Sequence, residues 1–199
     1  MTELVLASGS VTRQAMLRAA GIDFAVVPPN VDESEIKAAL LGEGAGAREI
    51  ADALAEIKAC QVSRRLPGVL VLGSDQVLEL PGGGTLDKPE GRAGAEAHLR
   101  LLMGVEHRLV CGAVIALDGK AIWRVVDTAR LTMRPLSDAF IAEYLDREGD
   151  AVLGSVGAYR LEGLGAQLFT KVTGSHFTVL GLPLLQVLDF LRVRGVVAS

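Results

Sequence analysis

Val69-Leu70-Val71-Leu72 is an unbroken apolar run, and after Gly73-Ser74-Asp75-Gln76 the chain returns at once to Val77-Leu78. A strand with one wet face alternates apolar and polar residues, so an unbroken run marks a strand covered on both faces. Covering both faces of a sheet takes a layer of helices on each side. The chain can supply them: it has 199 residues, half of them apolar, enough for one domain of about 100–200 residues with a full core. The expected fold class is therefore α/β, a mixed sheet flanked by helices, in a single domain spanning 1–199 with no linker.

The remaining patterns alternate in the same way. Leu4–Ala7 and Phe24–Val27 are short strands, and the second stops at Pro28-Pro29. Asp32-Glu33-Ser34-Glu35 reads as an acidic loop, and Gly42–Gly46 as a break before a long helix from about Ala47 to Arg65. Pro81-Gly82-Gly83-Gly84 reads as a hairpin tip, followed by a helix over Arg92–Met103. His107–Leu117 and Ala121–Met133 form a strand pair turned by Asp118-Gly119, a dipeptide suited to a two-residue hairpin. A helix opens at Ser137 and ends near Gly149, a glycine-rich stretch surrounds Gly163–Gly165, and a last helix runs from Pro183 to Arg194.

Four places on this scaffold carry chemistry. The first is Ser8-Gly9-Ser10-Val11-Thr12-Arg13, where a strand runs directly into a helix. Ser10 is a good N-cap, because its hydroxyl accepts from the unpaired N–H groups of the first turn. Arg13 sits in that turn with no acidic residue beside it, a placement that opposes the helix dipole by about 0.3–1 kcal/mol. An anion held by Ser8, Ser10, Arg13 and the helix N–H groups removes the mismatch. A capped helix with a solvated arginine is the alternative.

The second is Asp75, placed between apolar runs at what reads as a strand end. A buried carboxylate must neutralise, pair or bind a cation. It therefore holds a divalent metal, takes a proton from water, or satisfies nearby backbone N–H groups. The third is Lys58, which interrupts the apolar row Ile50, Leu54, Val62. Such a lysine either snorkels to the edge, the commoner outcome, or points its amine into a cleft. Lys88 is held by Pro89 after the glycine-rich hairpin and is a similar case. The fourth is the acidic run at Glu33, whose carboxylates suit Mg²⁺, although such a run is more often a charged surface loop.

Composition narrows the classes. The formal charge is −4 with no basic tail or stripe, which argues against broad nucleic-acid binding. Cys60 and Cys111 are far apart, as are His98, His107 and His176, so no zinc-type spacing exists. Two isolated cysteines without a leader pattern fit a cytoplasmic protein. No apolar run approaches the roughly 18 residues of a membrane helix. No Gly-Lys-Ser/Thr phosphate loop is present, which argues against a kinase of that type.

Taken in order, Ser8-x-Ser10-x-x-Arg13, Val31-Asp32-Glu33, Lys58-Ala59, Gly73-Ser74-Asp75-Gln76, Lys88-Pro89, Gly157-Ala158-Tyr159-Arg160-Leu161-Glu162-Gly163 and Gly181-Leu182-Pro183-Leu184 resemble the Maf-like proteins. The resemblance runs from Leu4 to about Leu191. It implies a nucleoside triphosphate pyrophosphatase that splits the α–β anhydride with a divalent cation, Mg²⁺ or Mn²⁺. It also implies two lobes around a central cleft, often in a homodimer; the charge and the lack of a long apolar run add the expectation of no nucleic-acid or membrane partner. Asp75 matches the general base of that family. Ser8, Ser10, Arg13, Glu33, Lys58 and Lys88 match its polar cleft residues, with metal at Glu33, Asp75 or both.

Thr12, Gln76 and Glu162 match positions linked to base choice. Gln76 and Glu162 resemble the branch that prefers 7-methylated guanine nucleotides, whereas that branch tends to carry an aromatic residue where this chain has Thr12. The pyrimidine branch usually has Thr after the catalytic Asp and Gln at the Glu162 position. The base is thus left between a methylated purine and a pyrimidine. The family name also implies a second role, a nucleotide-binding regulator of septum formation with little turnover.

Overall fold

The computed structural model describes residues 3–198. In chain order its elements are β1 (Leu4–Ala7), α1 (Val11–Ala19), β2 (Ala25–Val26), α2 (Glu33–Gly42), α3 (Ala47–Ser63), β3 (Leu70–Glu79), β4 (Thr85–Leu86), α4 (Gly91–Leu102), β5 (Glu106–Leu117), β6 (Lys120–Met133), α5 (Asp138–Glu148), β7 (Phe169–Thr173), α6 (His176–Val179) and α7 (Leu184–Val193). Three 3₁₀ segments, Gly149–Gly154, Val156–Ala158 and Leu164–Leu168, fill the chain between α5 and β7. The strands form one seven-stranded sheet in the order β2-β1-β3-β5-β6-β7, with β4 also on β3. β1 is parallel to β2 and β3, whereas β4 on β3 and β7 on β6 are antiparallel. The fold is mixed α/β.

The chain divides into two compact units. One holds the chain up to Gln76, Val110–Asp127 and everything from Ser175; the other holds Val77–Leu109 and Thr128–Gly174. Strands β3, β5 and β6 each contribute residues to both.

In the first unit the unbroken apolar run becomes two cores. Leu4, Leu6, Leu70 and Leu72 point to one face, where they bury with Leu17 of α1 and Val187 and Leu191 of α7. Val5, Ala7 and Val71 point to the other and pack with Val62 of α3. Successive strand residues alternate faces, so a strand covered on both sides is apolar at every position. Helix α3 lies very close to the sheet. A Cβ on Gly73 would stand 2.4 Å from the Ala55 carbonyl oxygen and 2.7 Å from the Ala59 nitrogen, and one on Gly112 would stand 2.5 Å from the Ala51 oxygen. Two strand glycines thus form the bed for this helix.

In the second unit α4 packs on α5 and on the first two 3₁₀ segments. His107 and Tyr159 are buried there, with the His107 Nε2 2.8 Å from the Tyr159 hydroxyl. Phe169 meets Tyr159 edge-on at 4.9 Å between ring centroids.

Two expectations change. Asp32-Glu33-Ser34-Glu35 is the start of α2 rather than a loop: Asp32 caps it, accepting from the Glu35 N–H at 3.0 Å, and the two glutamates lie in the first turn. Carboxylates there complement the helix dipole, which is why an acidic run nucleates a helix end. Asp75 lies inside β3, which continues to Glu79, and not at a strand end. The short strand β7 has no strong apolar pattern to announce it in the sequence. The Asp118-Gly119 turn forms as the dipeptide suggests, both residues having positive φ (49° and 77°) as the two-residue hairpin requires. No helix among the described residues is long and apolar enough to cross a membrane.

Candidate active site

The first unit gathers most of the chemistry. Ser10 caps α1 as the sequence suggests, its hydroxyl accepting from the Arg13 N–H at 3.4 Å. The Arg13 side chain is half-buried and held rather than free in solvent. Its Nε donates to the Gly181 carbonyl at 2.7 Å and its Nη1 to the Ser8 hydroxyl at 3.2 Å. Gly181 adopts φ +95°, a left-handed conformation that glycine takes without a Cβ penalty. The same carbonyl lies 3.1 Å from the Ser74 Oγ, which is also 2.8 Å from the Gly112 oxygen. One backbone carbonyl therefore ties the first turn of α1 to β3.

One residue further along β3, Asp75 is 7% exposed. It shares a strand face with Gly73, the face on which α3 lies. Lys58 of α3 is 4% exposed and reaches it directly, Nζ to Oδ1 at 2.7 Å. On its other side Nζ lies 2.8 Å from the Glu33 Oε2, on the first turn of α2. Lys58 has not snorkelled to solvent; two carboxylates hold its ammonium inside. A buried pair of this kind is tolerated only when geometry and partners offset desolvation.

Next along β3, Gln76 donates its Nε2 to the carbonyls of Thr178 and Val179 at 2.7 and 3.2 Å. Those acceptors fix the amide's orientation, because a flipped amide would set Oε1 against two carbonyls. The Thr178 hydroxyl in turn donates to Asp127 at 2.5 Å. Nothing in the sequence marks Thr178 or Asp127. Ser74 and Gly181 stand in matched motifs, but only the structure shows what they do.

Thr12 is half-buried in the first turn of α1. Lys88 and Glu162 belong to the second unit. Lys88 is exposed, just before the buried Pro89. Glu162 pairs with the Arg160 Nε at 3.4 Å, and Arg160 also reaches Glu148 at 3.3 Å. Glu148 further accepts from the Leu164 N–H at 2.9 Å. This unit also has a cavity of about 490 Å³, lined by Glu79–Gly83 and Val105–Arg108, which includes none of the candidate site residues.

Among the described residues no group of three or more His, Cys, Asp or Glu side chains is placed to hold a metal. Glu33 and Asp75 nevertheless fit a hard cation of the Mg²⁺ type, which takes one or two carboxylates and draws its other ligands from water and phosphate. Cysteine chemistry fits poorly. Burial pushes the Cys111 thiol up to about 11 and raises Cys60 as well, whereas a nucleophilic cysteine needs its thiolate.

The arrangement thus offers a buried carboxylate on an ammonium, a held guanidinium, and a helix N-terminus flanked by two serines. These are tools for a polyanion and for activating water.

The family model and the sequence relatives agree on one family. The model of the Maf-like proteins matches residues 3–194. A nucleoside triphosphate pyrophosphatase of Caulobacter vibrioides is 50% identical over 98% of this chain and 97% of its own. A 7-methyl-GTP pyrophosphatase of Mesorhizobium japonicum is 48% identical over 99% of each. A HAM1 protein of known structure from Coxiella burnetii is 16% identical, with a TM-score of 0.47 over 67% of this chain and 73% of that one, and at that distance it adds nothing to the assignment. Matched over nearly its whole length and half identical to curated members, the chain belongs to the Maf-like family.

Proposed function

We propose that this protein is a nucleoside triphosphate pyrophosphatase, a hydrolase of acid anhydrides that splits the α–β bond to yield a monophosphate and pyrophosphate. The observation that carries this reading is the Asp75–Lys58–Glu33 group, a buried carboxylate whose charge is balanced by a buried ammonium that also meets a second carboxylate. The names of the half-identical relatives support the same reaction.

A nucleoside triphosphate carries about four negative charges, and phosphoryl transfer depends mainly on positioning and charge neutralisation. Arg13, held by Gly181 and Ser8, presents its remaining N–H groups to a phosphate, and the N-terminus of α1 adds its backbone donors. Lys58 neutralises charge beside the scissile bond. Asp75 orients the attacking water and takes its proton. Mg²⁺ or Mn²⁺ on Glu33 and Asp75, when bound, supplies Lewis acidity and further neutralisation.

Lys88 as a phosphate contact, and Thr12, Gln76 and Glu162 as base contacts, rest on the family resemblance alone. The reading extends to a homodimer, supported by the resemblance, and to a cytoplasmic protein, supported by two unpaired cysteines. It includes no nucleic-acid or membrane partner, supported by a formal charge of −4 without a basic stripe or a long apolar run. The base is a purine in this reading, because a relative bearing the 7-methyl-GTP name is 48% identical and Glu162 suits a cationic methylated ring.

The test is pyrophosphate release from a panel of canonical and 7-methylated triphosphates with Mg²⁺ or Mn²⁺, wild type beside Asp75→Asn. Release that the variant loses is expected. Orthophosphate as the product, or no turnover on any nucleotide that binds, sinks the reading; the second result points to a nucleotide-binding regulator.

A further inference from the structure

Lys58 stands where a cation between Glu33 and Asp75 would stand. Its Nζ is 2.8 Å from one carboxylate and 2.7 Å from the other, and its side chain is only 5% exposed. The ammonium neutralises one of the two negative charges and engages one oxygen on each group. A divalent ion on the same carboxylates would lie close to Nζ, and two cations at that separation, away from bulk water, repel strongly. The two carboxylates differ in freedom. Asp75 is fixed inside β3, whereas the Glu33 side chain is 53% exposed at the start of α2 and can swing.

We propose that Lys58 is a stand-in cation: in the nucleotide-free protein it holds Glu33 and Asp75 together and keeps divalent metal out. The inference rests on the pyrophosphatase reading only for what displaces the ammonium, namely a polyphosphate. The phosphates draw Lys58 away on its flexible four-carbon stem, and both carboxylates are then free for the ion that accompanies the nucleotide. Metal and nucleotide consequently load together, and the base at Asp75 is released only when there is a substrate to act on.

The test is Mn²⁺ binding to nucleotide-free protein, followed by the electron paramagnetic resonance of unbound Mn²⁺, in wild type, Lys58→Met, Lys58→Arg and the double variant Lys58→Met/Asp75→Asn. Wild type and Lys58→Arg should bind weakly, Lys58→Met at least tenfold more tightly, and the double variant should lose that gain. Mn²⁺ should also raise the melting temperature of Lys58→Met and leave the wild type unchanged. Wild type binding as tightly as Lys58→Met, or Lys58→Arg gaining as much, overturns the proposal. If Lys58→Met is unfolded alone, Mn²⁺ must restore its circular dichroism, and failure to do so overturns it equally. Pyrophosphate release enters none of these readouts, so this proposal and the pyrophosphatase reading fail separately.

Discussion

Lys58 meets Asp75 at 2.7 Å because Gly73, two residues earlier on the same strand face, lets α3 settle against the sheet. The ion pair at the candidate active site therefore depends on a packing contact that contains no charge. Removing either partner separates the electrostatic role from the chemical one. Asp75→Asn keeps the shape and removes the proposed base, so pyrophosphate release should fall by about 10²–10⁴-fold while nucleotide binding by calorimetry persists. Lys58→Met leaves a buried carboxylate without its cation and should cost roughly 3–5 kcal/mol in urea unfolding. The double variant should recover part of that loss. A strictly additive double variant would show that the two groups do not interact.

Gly73→Ala tests the packing itself. Its Cβ would stand 2.4 Å from the Ala55 oxygen, and backbone cannot give way as a flexible side chain can. The helix must lift, at a cost of about 1–3 kcal/mol or more. Lifting α3 also draws Lys58 from Asp75, so stability and turnover should fall together. Full activity in a stable Gly73→Ala protein would refute the link.

Arg13 is held by the Gly181 carbonyl at 2.7 Å. Lysine lacks the Nε donor and the planar fork, so Arg13→Lys gives up this anchor along with the proposed phosphate contact. A lost charge-assisted hydrogen bond is worth about 1.5–3 kcal/mol, and KM should rise roughly tenfold or more while kcat changes less. Gly181→Ala forces a side chain to φ +95° and should reproduce the KM effect in weaker form. An unchanged KM in both variants would exclude Arg13 from substrate contact.

His107 gives the second unit an acid limit. Burial lowers its pKa from 6.5 to about 4, so the folded protein keeps it neutral while the unfolded chain protonates it below 6.5. A depressed histidine stabilises fully above the unfolded pKa, and its contribution disappears as the pH falls toward the folded one. Between pH 6.5 and 4 the fold should lose roughly 3 kcal/mol from this group, since each pH unit between the two values costs about 1.4 kcal/mol. Urea midpoints across that window should fall for wild type and fall less for His107→Gln. Equal slopes in both proteins would place the acid sensitivity elsewhere.

The residue pattern and the structure agree where local chemistry decides. The apolar run becomes the start of β3 from Leu70, covered on both faces, Ser10 is a cap, and Asp118-Gly119 is the hairpin turn. Each follows from a preference that the residues carry in any protein. Family motifs in order carry the membership, because many loose matches at fixed succession are jointly specific. The acidic run at Asp32–Glu35 reads as a loop and folds as a helix start, since the same residues favour both a solvated loop and a helix N-terminus.

What residue order determined by itself was the class of fold, the family and the identity of the charged side chains. What tertiary structure alone decided was their pairing. Lys58 in an apolar row reads more readily as a snorkelling residue than as an internal cation; it is internal because α3 rests on Gly73 and Gly112, which brings Asp75 within reach of its ammonium. Arg13 is equally a solvated cation or a held one; it is held because Gly181, 168 residues away, turns its carbonyl toward it. Propensity and patterning act over a few residues. Burial and ion pairing act between groups that are distant in sequence, and only the folded chain sets the distances on which Coulomb energy and desolvation depend.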